Sequence, residues 1–454
     1  MSFFEKDFRL AEKIARKANA AGGRAYFVGG YVRDKLSGKE TKDIDIEVHG
    51  ISPRKLCEIL EGLGERISIG ESFGIYALKG YSVDIAMPRR EELRGVGHRD
   101  FDVVVDPFIG TESAARRRDF TVNAMLCDVL TGEIVDHFGG KDDLSAKVLR
   151  HVCEKSFPED ALRVLRAAQF AARFNFTVAE ETVKLCSGMD LSNLPRERIE
   201  GELKKALLKA EKPSVFFEVL RKMNKLSEWF SELSDLIGIP QNRKYHAEGD
   251  VWVHTMMVLD AAAKYRDRAE NPFGFMLAAL VHDFGKAVCT ECIDGTIHAY
   301  GHEEKGIPIA RRFLERITGE KNLVDYALNI SKDHMKPNVV AQAKASVKTT
   351  NRMFDTSPDP VALICLAVSD GEGKITDKKY VPETDFLYDR LEIYRERMRK
   401  PEVLGRDLIE AGLTPGEDFS EILKFSHKLH LAGIEKEEAL KQALAFAKKL
   451  RKGT

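Results

Sequence analysis

The order of apolar and polar positions predicts both helices and strands near the start of this chain. Residues 1–21 intersperse apolar and charged positions in the manner of an amphipathic helix. Residues 25–28 form a short apolar run that predicts a buried strand. Residues 42–48 alternate strictly, and residues 81–87 alternate again directly after Gly80, as the second strand of a hairpin would. The first hundred residues therefore mix helical and extended segments.

Two aspartates, Asp43 and Asp45, lie on the first alternating run, and alternating residues of a strand point to the same face. Their carboxylates can therefore serve one divalent-metal site. The preceding glycine pair, which ends at Gly30, lets the backbone approach a ligand, and residues 31–36 can open a helix whose N-terminus attracts anions. Arg33 would then lie within reach of a triphosphate. Taken alone, the glycine pair could be an ordinary turn, and the two aspartates could lie on a solvated strand edge.

A third carboxylate, Asp84, lies on the next alternating run, in either a catalytic or a structural role. These segments belong to a set of five blocks that resembles, in order, the head domain of the tRNA nucleotidyltransferase and bacterial poly(A) polymerase family. That family is the class II branch of the polymerase-β-like nucleotidyltransferases. The blocks are GGYVRD (residues 29–34), DID (43–45), RRRDFTVNAM (116–125), VDHFGG (135–140) and EDALRVLR (159–166).

The resemblance implies a role for each matching residue. In the family, two strand aspartates hold two Mg²⁺ ions that activate the RNA 3′ hydroxyl and bind the incoming triphosphate, which places Asp43 and Asp45 in that role. The glycine and arginine of the first block contact the phosphate and sugar of the nucleotide, which places Gly30 and Arg33 there. An arginine of the third block also contacts the nucleotide, and Arg118 is its closest match. A solvated basic face is the alternative explanation for that arginine run.

The last block bears on the choice of base. In the family, its aspartate and first arginine read the Watson–Crick edge of the incoming base, which places Asp160 and Arg163 there. A carboxylate accepts from the amino group that cytosine and adenine share and that uracil and guanine lack at that position. The alternative is that Asp160 caps the helix running to Phe174 and Arg163 pairs on its surface. Arg166 lies one turn further along the same face, whereas Gln169 stands where many relatives have another arginine.

Two segments of the head carry weaker predictions. Residues 119–126 are expected to begin an amphipathic helix with Arg118 at its edge. Residues between Pro88 and Phe101 are rich in charge and glycine, which predicts a mobile loop. This loop resembles the one that helps the family switch from CTP to ATP, and an ordinary surface loop is the alternative.

A second constellation begins after residue 250. His282 and Asp283 are adjacent on an otherwise apolar helix, where burying both is costly unless a divalent metal binds them. With His254 before them and Asp370 after them, they offer the ligand types of a metallo-phosphohydrolase. The order His, His-Asp, distant Asp resembles the HD superfamily, which is all-helical, and residues at two further positions match places where some members keep additional metal or phosphate contacts. Those two residues are His302 and His334.

Lys286, three residues after Asp283, either binds phosphate or faces water.

Composition is consistent with a large soluble enzyme: at 454 residues with 43% hydrophobic content, several cores are expected. Neither a signal peptide nor a membrane span is predicted, and seven scattered cysteines favour a reducing cytosol. The net charge of −1 means that RNA contact must come from local basic patches. Candidate patches are residues 116–118, 196–205, 395–400 and 448–452.

The motifs predict four segments: a mixed α/β catalytic head (1–150), a helical neck carrying the base-reading helix (151–240), a helical HD domain (241–375) and a helical tail (376–454) with possible tRNA contact. The resemblance implies a CCA-adding tRNA nucleotidyltransferase that uses CTP and ATP with Mg²⁺ in the head. It also implies a phosphohydrolase with a divalent metal of unspecified identity, acting on phosphate at RNA ends, including 2′,3′-cyclic phosphates. The alternatives are a poly(A) polymerase or a CC- or A-adding enzyme, and, in another class, an RNA-binding or hydrolase-only protein with an inactive head.

Overall fold

The computed structural model describes residues 3–39, 44–67, 74–93, 101–375 and 383–452, and within these residues the chain divides into two compact units. Unit 1 comprises residues 1–198 and 215–225, and unit 2 comprises residues 199–214 and 226–454. The mixed α/β character of the first part and the helical character of the rest confirm the predicted fold class. The finer division into four segments stays a prediction.

Unit 1 is built on a mixed sheet. Within the described residues, this sheet has seven strands in the order β3-β4-β5-β2-β1-β8-β9. Strands β2 and β5 run parallel, and the other neighbours run antiparallel. A separate antiparallel ribbon joins β6 and β7. The strands are β1 (Arg24–Val28), β2 (Ile44–His49), β3 (Arg66–Ile67), β4 (Ile75–Leu78), β5 (Val83–Ala86), β6 (Arg89–Leu93), β7 (Phe101–Val105), β8 (Leu126–Asp128) and β9 (Ile134–Val135).

The first helix covers this sheet, as the amphipathic pattern predicts. Its apolar face recurs at helical spacing through Leu10, Ile14 and Ala18, which are buried in the same core as strand residues Phe27 and Ile46. The helices of unit 1 and the helices shared at its boundary are α1 (Phe3–Ala20), α2 (Gly30–Leu36), α3 (Pro53–Glu61), α4 (Thr111–Arg116), α5 (Gly140–Ala146), α6 (Leu162–Phe174), α7 (Glu180–Ser187), α8 (Arg196–Lys209) and α9 (Ser214–Lys222). A short parallel pair, β10 (Val148–Leu149) and β11 (Thr177–Val178), lies beside α6.

Two local predictions for the head need correction. Residues 119–126 do not begin an α-helix: a single 3₁₀ turn, Thr121–Asn123, leads directly into β8. The reason is that β8 pairs with β1 and is buried along its whole length, so sheet pairing decides the conformation. The charged segment after Pro88 is not a loop throughout, because its two ends form the β6–β7 ribbon. Residues 94–100 between them lie outside the described residues.

Among its described residues, unit 2 is helical apart from one hairpin, β12 (Glu291–Ile293) with β13 (Thr296–His298). Three apolar helices, Val251–Ala262, Pro272–Val281 and Pro360–Glu372, pack against one another. The helices are α10 (Leu226–Trp229), α11 (Ser231–Ser234), α12 (Val251–Ala262), α13 (Pro272–Val281), α14 (Lys286–Cys289), α15 (His302–Ile317), α16 (Lys321–Lys332), α17 (Lys336–Gln342), α18 (Val347–Asp355), α19 (Pro360–Glu372), α20 (Thr384–Arg399), α21 (Gly405–Glu410), α22 (Phe419–Leu431) and α23 (Lys436–Lys452).

One predicted basic patch is partly structural. Arg397, within residues 395–400, is buried, donates from Nε to the carbonyl oxygen of His430 at 2.7 Å and pairs with Glu435. It therefore joins α20 to the end of α22 rather than facing an RNA. Among the described residues, no helix combines the length and the apolar character needed to cross a membrane.

Candidate active sites

The carboxylates of the head meet on neighbouring strands. Asp45 on β2 lies directly opposite Asp84 on β5 in the parallel register, and both line a cleft of about 270 Å³. Neighbouring strands are about 4.8 Å apart, so two carboxylates on one face can serve one ion. Acidic oxygens are the ligands that Mg²⁺ prefers, and this pair therefore fits such an ion. Asp43 lies outside the described residues.

A buried glutamate on the same strand face holds basic side chains at this cleft. Glu47, two residues after Asp45, accepts from Arg118 Nη2 at 3.2 Å and from His49 Nε2 at 2.9 Å, and Arg117 Nη2 lies 3.6 Å away. Burial opposes ionisation of Glu47, but the charge of Arg118 and the hydrogen bond from His49 outweigh it and lower its pKa to about 2. Glu47 is thus a fixed negative charge that positions Arg118.

The glycine turn approaches the same cleft. Gly29 has φ of 64°, and a Cβ there would lie 3.7 Å from Arg118 Nη1 and 3.9 Å from Asp45 Oδ2. This backbone conformation favours glycine, and it brings the start of α2 beside both side chains. The structure therefore brings Asp45, Asp84 and Arg118 together with the turn that precedes Gly30.

Arg33, predicted to contact the nucleotide, is engaged within the protein. Its Nη1 donates to Asn123 Oδ1 at 2.7 Å, its Nε donates to Asp34 Oδ1 at 2.8 Å, and its guanidinium lies 4.1 Å from the ring centre of Phe174. Burial lowers the pKa of Arg33, although the neighbouring Asp34 opposes that shift. The structure therefore places Arg33 as a buried cation beside the turn, with its hydrogen-bonding groups directed at protein atoms.

Arg166 belongs to the same hydrogen-bonded network. It donates from Nε to Asp119 Oδ2 at 2.8 Å, and the other oxygen of Asp119 accepts from Asn123 at 3.1 Å. Burial opposes ionisation of Asp119, but the charge of Arg166 and these hydrogen bonds lower its pKa. Because Asn123 also binds Arg33, residues of three sequence blocks are fixed to one another.

The two predicted base-reading residues lie at the start of α6 and have local partners. Asp160 accepts from the first N–H of α6 at 3.1 Å and from Arg198 Nη2 at 2.9 Å. Arg163 donates to the carbonyl oxygens of Ser156 at 2.6 Å and of Arg117 at 2.7 Å. The local capping and pairing roles are therefore present for both. Reading a base would require these side chains to exchange partners, and that role stays a prediction.

In unit 2 the predicted HD residues converge in a buried cluster. His254 Nε2 lies 3.1 Å from Asp370 Oδ1 and 3.5 Å from Asp283 Oδ2, and His282 Nε2 lies 3.3 Å from Asp283 Oδ2. His302 Nε2 lies 3.3 Å from the other oxygen of Asp283. These side chains come from segments as far as 116 positions apart in sequence.

Three cluster histidines share one orientation. His282, His302 and His334 each place Nδ1 2.7–2.8 Å from the carbonyl oxygen three residues earlier in the chain. A carbonyl can only accept, so Nδ1 carries the proton and Nε2 is left as the free lone pair in the neutral ring. Nε2 then faces the centre of the cluster, which is the arrangement typical of metal-binding histidines.

Several cluster atoms have no ordinary hydrogen bond. Within the described part of the chain, His282 Nε2 and both oxygens of Asp283 are buried and make none, although Lys286 Nζ lies 2.7 Å from Asp283 Oδ2. Burial opposes ionisation of Asp283, but His282 and Lys286 hold its pKa well below the usual range. Burial lowers the pKa of His334 to about 3, which keeps its imidazole neutral. Buried, oriented and unsatisfied N and O atoms fit a divalent cation.

Three further residues of the cluster, His246, Glu248 and Lys374, were not predicted from the sequence. The side chain of Glu248 is buried; it accepts from His246 Nδ1 at 2.7 Å and from the main-chain N–H of Ile375 at 2.9 Å, and its Oε1 lies 3.0 Å from His254 Nδ1. Lys374 Nζ lies 2.6 Å from Asp370 Oδ2. The signal that could have found Glu248 is its spacing, six residues before His254 and two after another histidine. His246, Glu248 and His254 form one of three overlapping sets whose ligand atoms lie within 4.8 Å of one another.

A glycine permits the close approach of two cluster segments. A Cβ at Gly285 would lie 1.9 Å from the carbonyl oxygen of His302 and 2.8 Å from the main-chain nitrogen of Gly306. The helix that begins at His302 therefore packs directly on the backbone that follows the His-Asp pair. His282 is the C-cap residue directly after α13, which ends at Val281, so the pair lies just past the end of the apolar helix rather than within it.

Comparison with known proteins adds to this geometry. Residues 25–150 match the poly A polymerase head domain family. The chain is 37% identical over 326 residues to the multifunctional CCA protein of Actinobacillus pleuropneumoniae serotype 5b, covering 70% of this chain and 77% of that protein. It is 33% identical over 429 residues to the multifunctional CCA protein of Halorhodospira halophila, covering 91% of this chain and 98% of that protein.

Solved structures show the same fold. The Bacillus stearothermophilus CCA-adding enzyme in complex with CTP matches with a TM-score of 0.69 at 20% identity, covering 99% of both chains. The Thermotoga maritima CCA-adding enzyme complexed with tRNA matches with a TM-score of 0.62 at 21% identity, covering 97% of this chain and 94% of that one. The fold therefore defines a class of polymerase-type proteins that combine a sheet-based head with a long helical extension. The chain belongs to the family of the multifunctional CCA proteins.

Proposed function

We propose that this protein is a CCA-adding tRNA nucleotidyltransferase that adds C, C and A to tRNA 3′ ends from CTP and ATP. The observation that carries the proposal is its similarity to proteins named multifunctional CCA protein, at 33% identity over 98% of one such relative. The Asp45–Asp84 pair in a cleft beside Arg118 supports it, since nucleotidyl transfer needs carboxylates for Mg²⁺ and cations for a triphosphate.

In this proposal, different residues of the head serve different parts of one displacement reaction at phosphorus. The tRNA 3′ hydroxyl gives up its proton to solvent as its oxygen attacks the α-phosphorus of the nucleotide, the bond to the bridging oxygen breaks, and pyrophosphate leaves. Asp43 and Asp45, with Asp84 beside them, would hold Mg²⁺, which supplies positive charge to the reacting oxygens. Arg118, held by Glu47, would bind the nucleotide near its phosphates. Asp160 and Arg163 would accept cytosine or adenine by exchanging their present partners for the base edge.

We also propose a phosphohydrolase site in unit 2 that removes or opens phosphate at RNA ends, including 2′,3′-cyclic phosphates. Its support is the buried cluster of His254, His282, Asp283 and Asp370, which would hold a divalent metal able to supply a nucleophilic water. Lys286 and Lys374 each lie within 2.7 Å of a cluster carboxylate and line the cavity, so they can pair with a phosphate. Hydrolysis adds water across one P–O bond: a terminal monoester gives the alcohol and inorganic phosphate, and a 2′,3′-cyclic phosphate opens to a hydroxyl beside a phosphomonoester.

The first test incubates the full-length protein and Mg²⁺ with a tRNA that lacks its 3′ CCA, with labelled CTP, ATP, UTP and GTP given singly and then together. Two additions of C followed by one of A are expected. A ladder of A would instead establish the poly(A) polymerase alternative, which the match of residues 25–150 to the poly A polymerase head keeps open. Addition of only CC or only A would identify a partial enzyme. Lack of any extension would leave the cluster of unit 2 as the active site.

A further inference from the structure

The mouth of the cavity above the histidine–aspartate cluster exposes apolar side chains. A cavity of about 280 Å³ reaches from Asp283 and His302 to Tyr245, Tyr300 and Met335. These three outer side chains are 54%, 66% and 43% exposed. Scattered exposed apolar residues are ordinary, but a group of them at the rim of one polar cavity marks a surface that contacts a ligand.

Tyr300 presents a preformed flat surface there. Its ring stacks on that of His298 with centroids 4.8 Å apart and an interplanar angle of 17°. His298 ends β13, and Gly301 follows Tyr300 in a left-handed conformation at the start of α15. The two-ring stack is therefore held by a hairpin on one side and a helix on the other, with its outer face open to solvent.

The stack lies close to the groups that can bind phosphate. Tyr300 is two residues before His302, so their Cα atoms are at most about 7 Å apart, a distance comparable to that between the phosphate and the base of one nucleotide. His302 Nε2 faces Asp283, and Lys286 and Lys374 contribute two ammonium groups to the same cavity. The floor of the cavity thus holds two lysine–aspartate pairs, and its rim is aromatic.

We propose that Tyr300, supported by His298, is a nucleobase platform that makes this site specific for phosphates attached to a nucleotide. The inference rests on the proposed phosphohydrolase function and adds its substrate-recognising residue. Stacking accepts every base, because each base has a π face, so the platform is tolerant of sequence. A free nucleotide and the last nucleotide of an unpaired RNA end share this chemistry, whereas a paired end cannot offer its base face.

The test compares Tyr300→Ala and Tyr300→Phe with the wild type on two phosphomonoesters, uridine 3′-monophosphate and glycerol 2-phosphate. Uridine is chosen because the predicted base selection of the head favours cytosine and adenine, so binding there contributes least. In Tyr300→Ala the ratio of KM for the uridine substrate to KM for the glycerol substrate should rise about 5- to 100-fold. Tyr300→Phe should keep the wild-type ratio because it keeps the ring. Phe108→Ala, which removes another exposed aromatic outside this cavity, is the matched control.

An unchanged ratio in Tyr300→Ala, or an equal change in Tyr300→Phe, would overturn the platform. If the wild type hydrolyses neither compound, calorimetric titration with uridine 3′-monophosphate still decides the platform, because Tyr300→Ala must weaken that binding by the same factor. The phosphohydrolase function itself fails only if uridine 2′,3′-cyclic phosphate is not opened either. A short RNA ending in uridine 3′-phosphate, tested single-stranded and annealed, then separates the two sources: preference for the single strand over free nucleotide indicates an RNA end, and equal use indicates free nucleotides.

Discussion

The two candidate sites differ in how completely the folded chain prepares them. In the head, Asp45 and Asp84 lie on strand faces beside an open cleft, and the predicted base-reading side chains are occupied by local partners. In unit 2, the cluster is buried and its histidines are oriented by main-chain carbonyl groups before any ligand arrives. A site that must admit two nucleotides in turn gains from side chains that can change partners. A site that holds one ion gains from side chains that cannot.

The largest expected effect separates the two sites completely. Asp45→Asn should lower nucleotide addition on the order of a thousandfold or more and leave phosphohydrolysis intact, because it removes a carboxylate from the head only. His282→Ala with Asp283→Ala should do the reverse. Both activities are measured on the same preparations, by extension of a shortened tRNA and by phosphate release from uridine 2′,3′-cyclic phosphate after phosphatase treatment. Loss of both activities in either variant would contradict two independent sites.

The next effect probes the rigidity of the buried cluster. Gly285→Ala should lower the free energy of unfolding of unit 2 by about 2–3 kcal/mol, since its Cβ would lie 1.9 Å from a main-chain oxygen and the backbone must shift. Denaturant titration measures the change, and phosphohydrolysis should fall while nucleotide addition persists.

The matched control for that variant is Gly201→Ala in α8, where a Cβ meets no atom within 4 Å. It should be neutral or stabilising by up to about 1 kcal/mol, because alanine is the better helix former. Equal destabilisation by the two substitutions would show that the close approach at Gly285 is unimportant.

A smaller effect tests the carboxylate that contacts His254 of the cluster. Glu248→Gln should weaken divalent-metal binding by about 10- to 100-fold, because it removes the charge that orients His254 Nδ1 and sets an amide against the N–H of Ile375. Calorimetric titration of the metal-free protein measures this, using Mn²⁺ as the probe.

Glu303→Gln serves as the control, since the Glu303 side chain lies near a cluster histidine but is 37% exposed, and His302 already contacts a carbonyl oxygen through Nδ1. The metal affinity of this variant should stay within about twofold of the wild type, because solvent screens a partly exposed carboxylate. If Glu303→Gln weakened binding as much as Glu248→Gln, the buried glutamate would have no special positioning role.

The smallest effect lies outside both sites, where pH acts on the helical tail. His427 bridges Glu402 at 2.9 Å and Asp355 at 3.0 Å, and His430 stacks nearby. Burial opposes its charge, but these two carboxylates raise its pKa. The raised pKa means that the stabilisation is complete below the unfolded pKa of about 6.5 and is lost as pH rises through the folded pKa.

The wild type should therefore exceed His427→Gln in Tm at about pH 5.5 by more than at about pH 8.5, with a difference in free energy below about 1 kcal/mol because the ring is one-third exposed. Thermal melts at both pH values measure it. A difference that grows with pH would mean that the histidine is not charged in the folded protein.

Most residues of the two candidate sites could be predicted from the sequence, because strand alternation and histidine spacing are local signals. Residues 42–48 and 81–87 alternate, and the structure pairs Asp45 with Asp84 as that pattern allows. Residues 119–126 were misassigned, because the polar and the apolar residues of this segment are all buried, and only pairing with β1 makes its end a strand. Glu47 was missed because the two arginines that it contacts are distant in sequence, whereas Glu248 was missed although both of its histidine partners lie within six residues of it.

The buried cluster has a consequence for folding that neither activity requires. His254 and Asp370 are 116 positions apart, and an ion gripped by both would cross-link α12 to α19 much as a disulfide does. Closing so long a loop is entropically costly for a disordered chain, so the cross-link restricts the unfolded ensemble more than a short one would. The ion proposed for hydrolysis would thus also stabilise the fold of unit 2. Its removal by a chelator would destabilise unit 2 before it affected the sheet of unit 1.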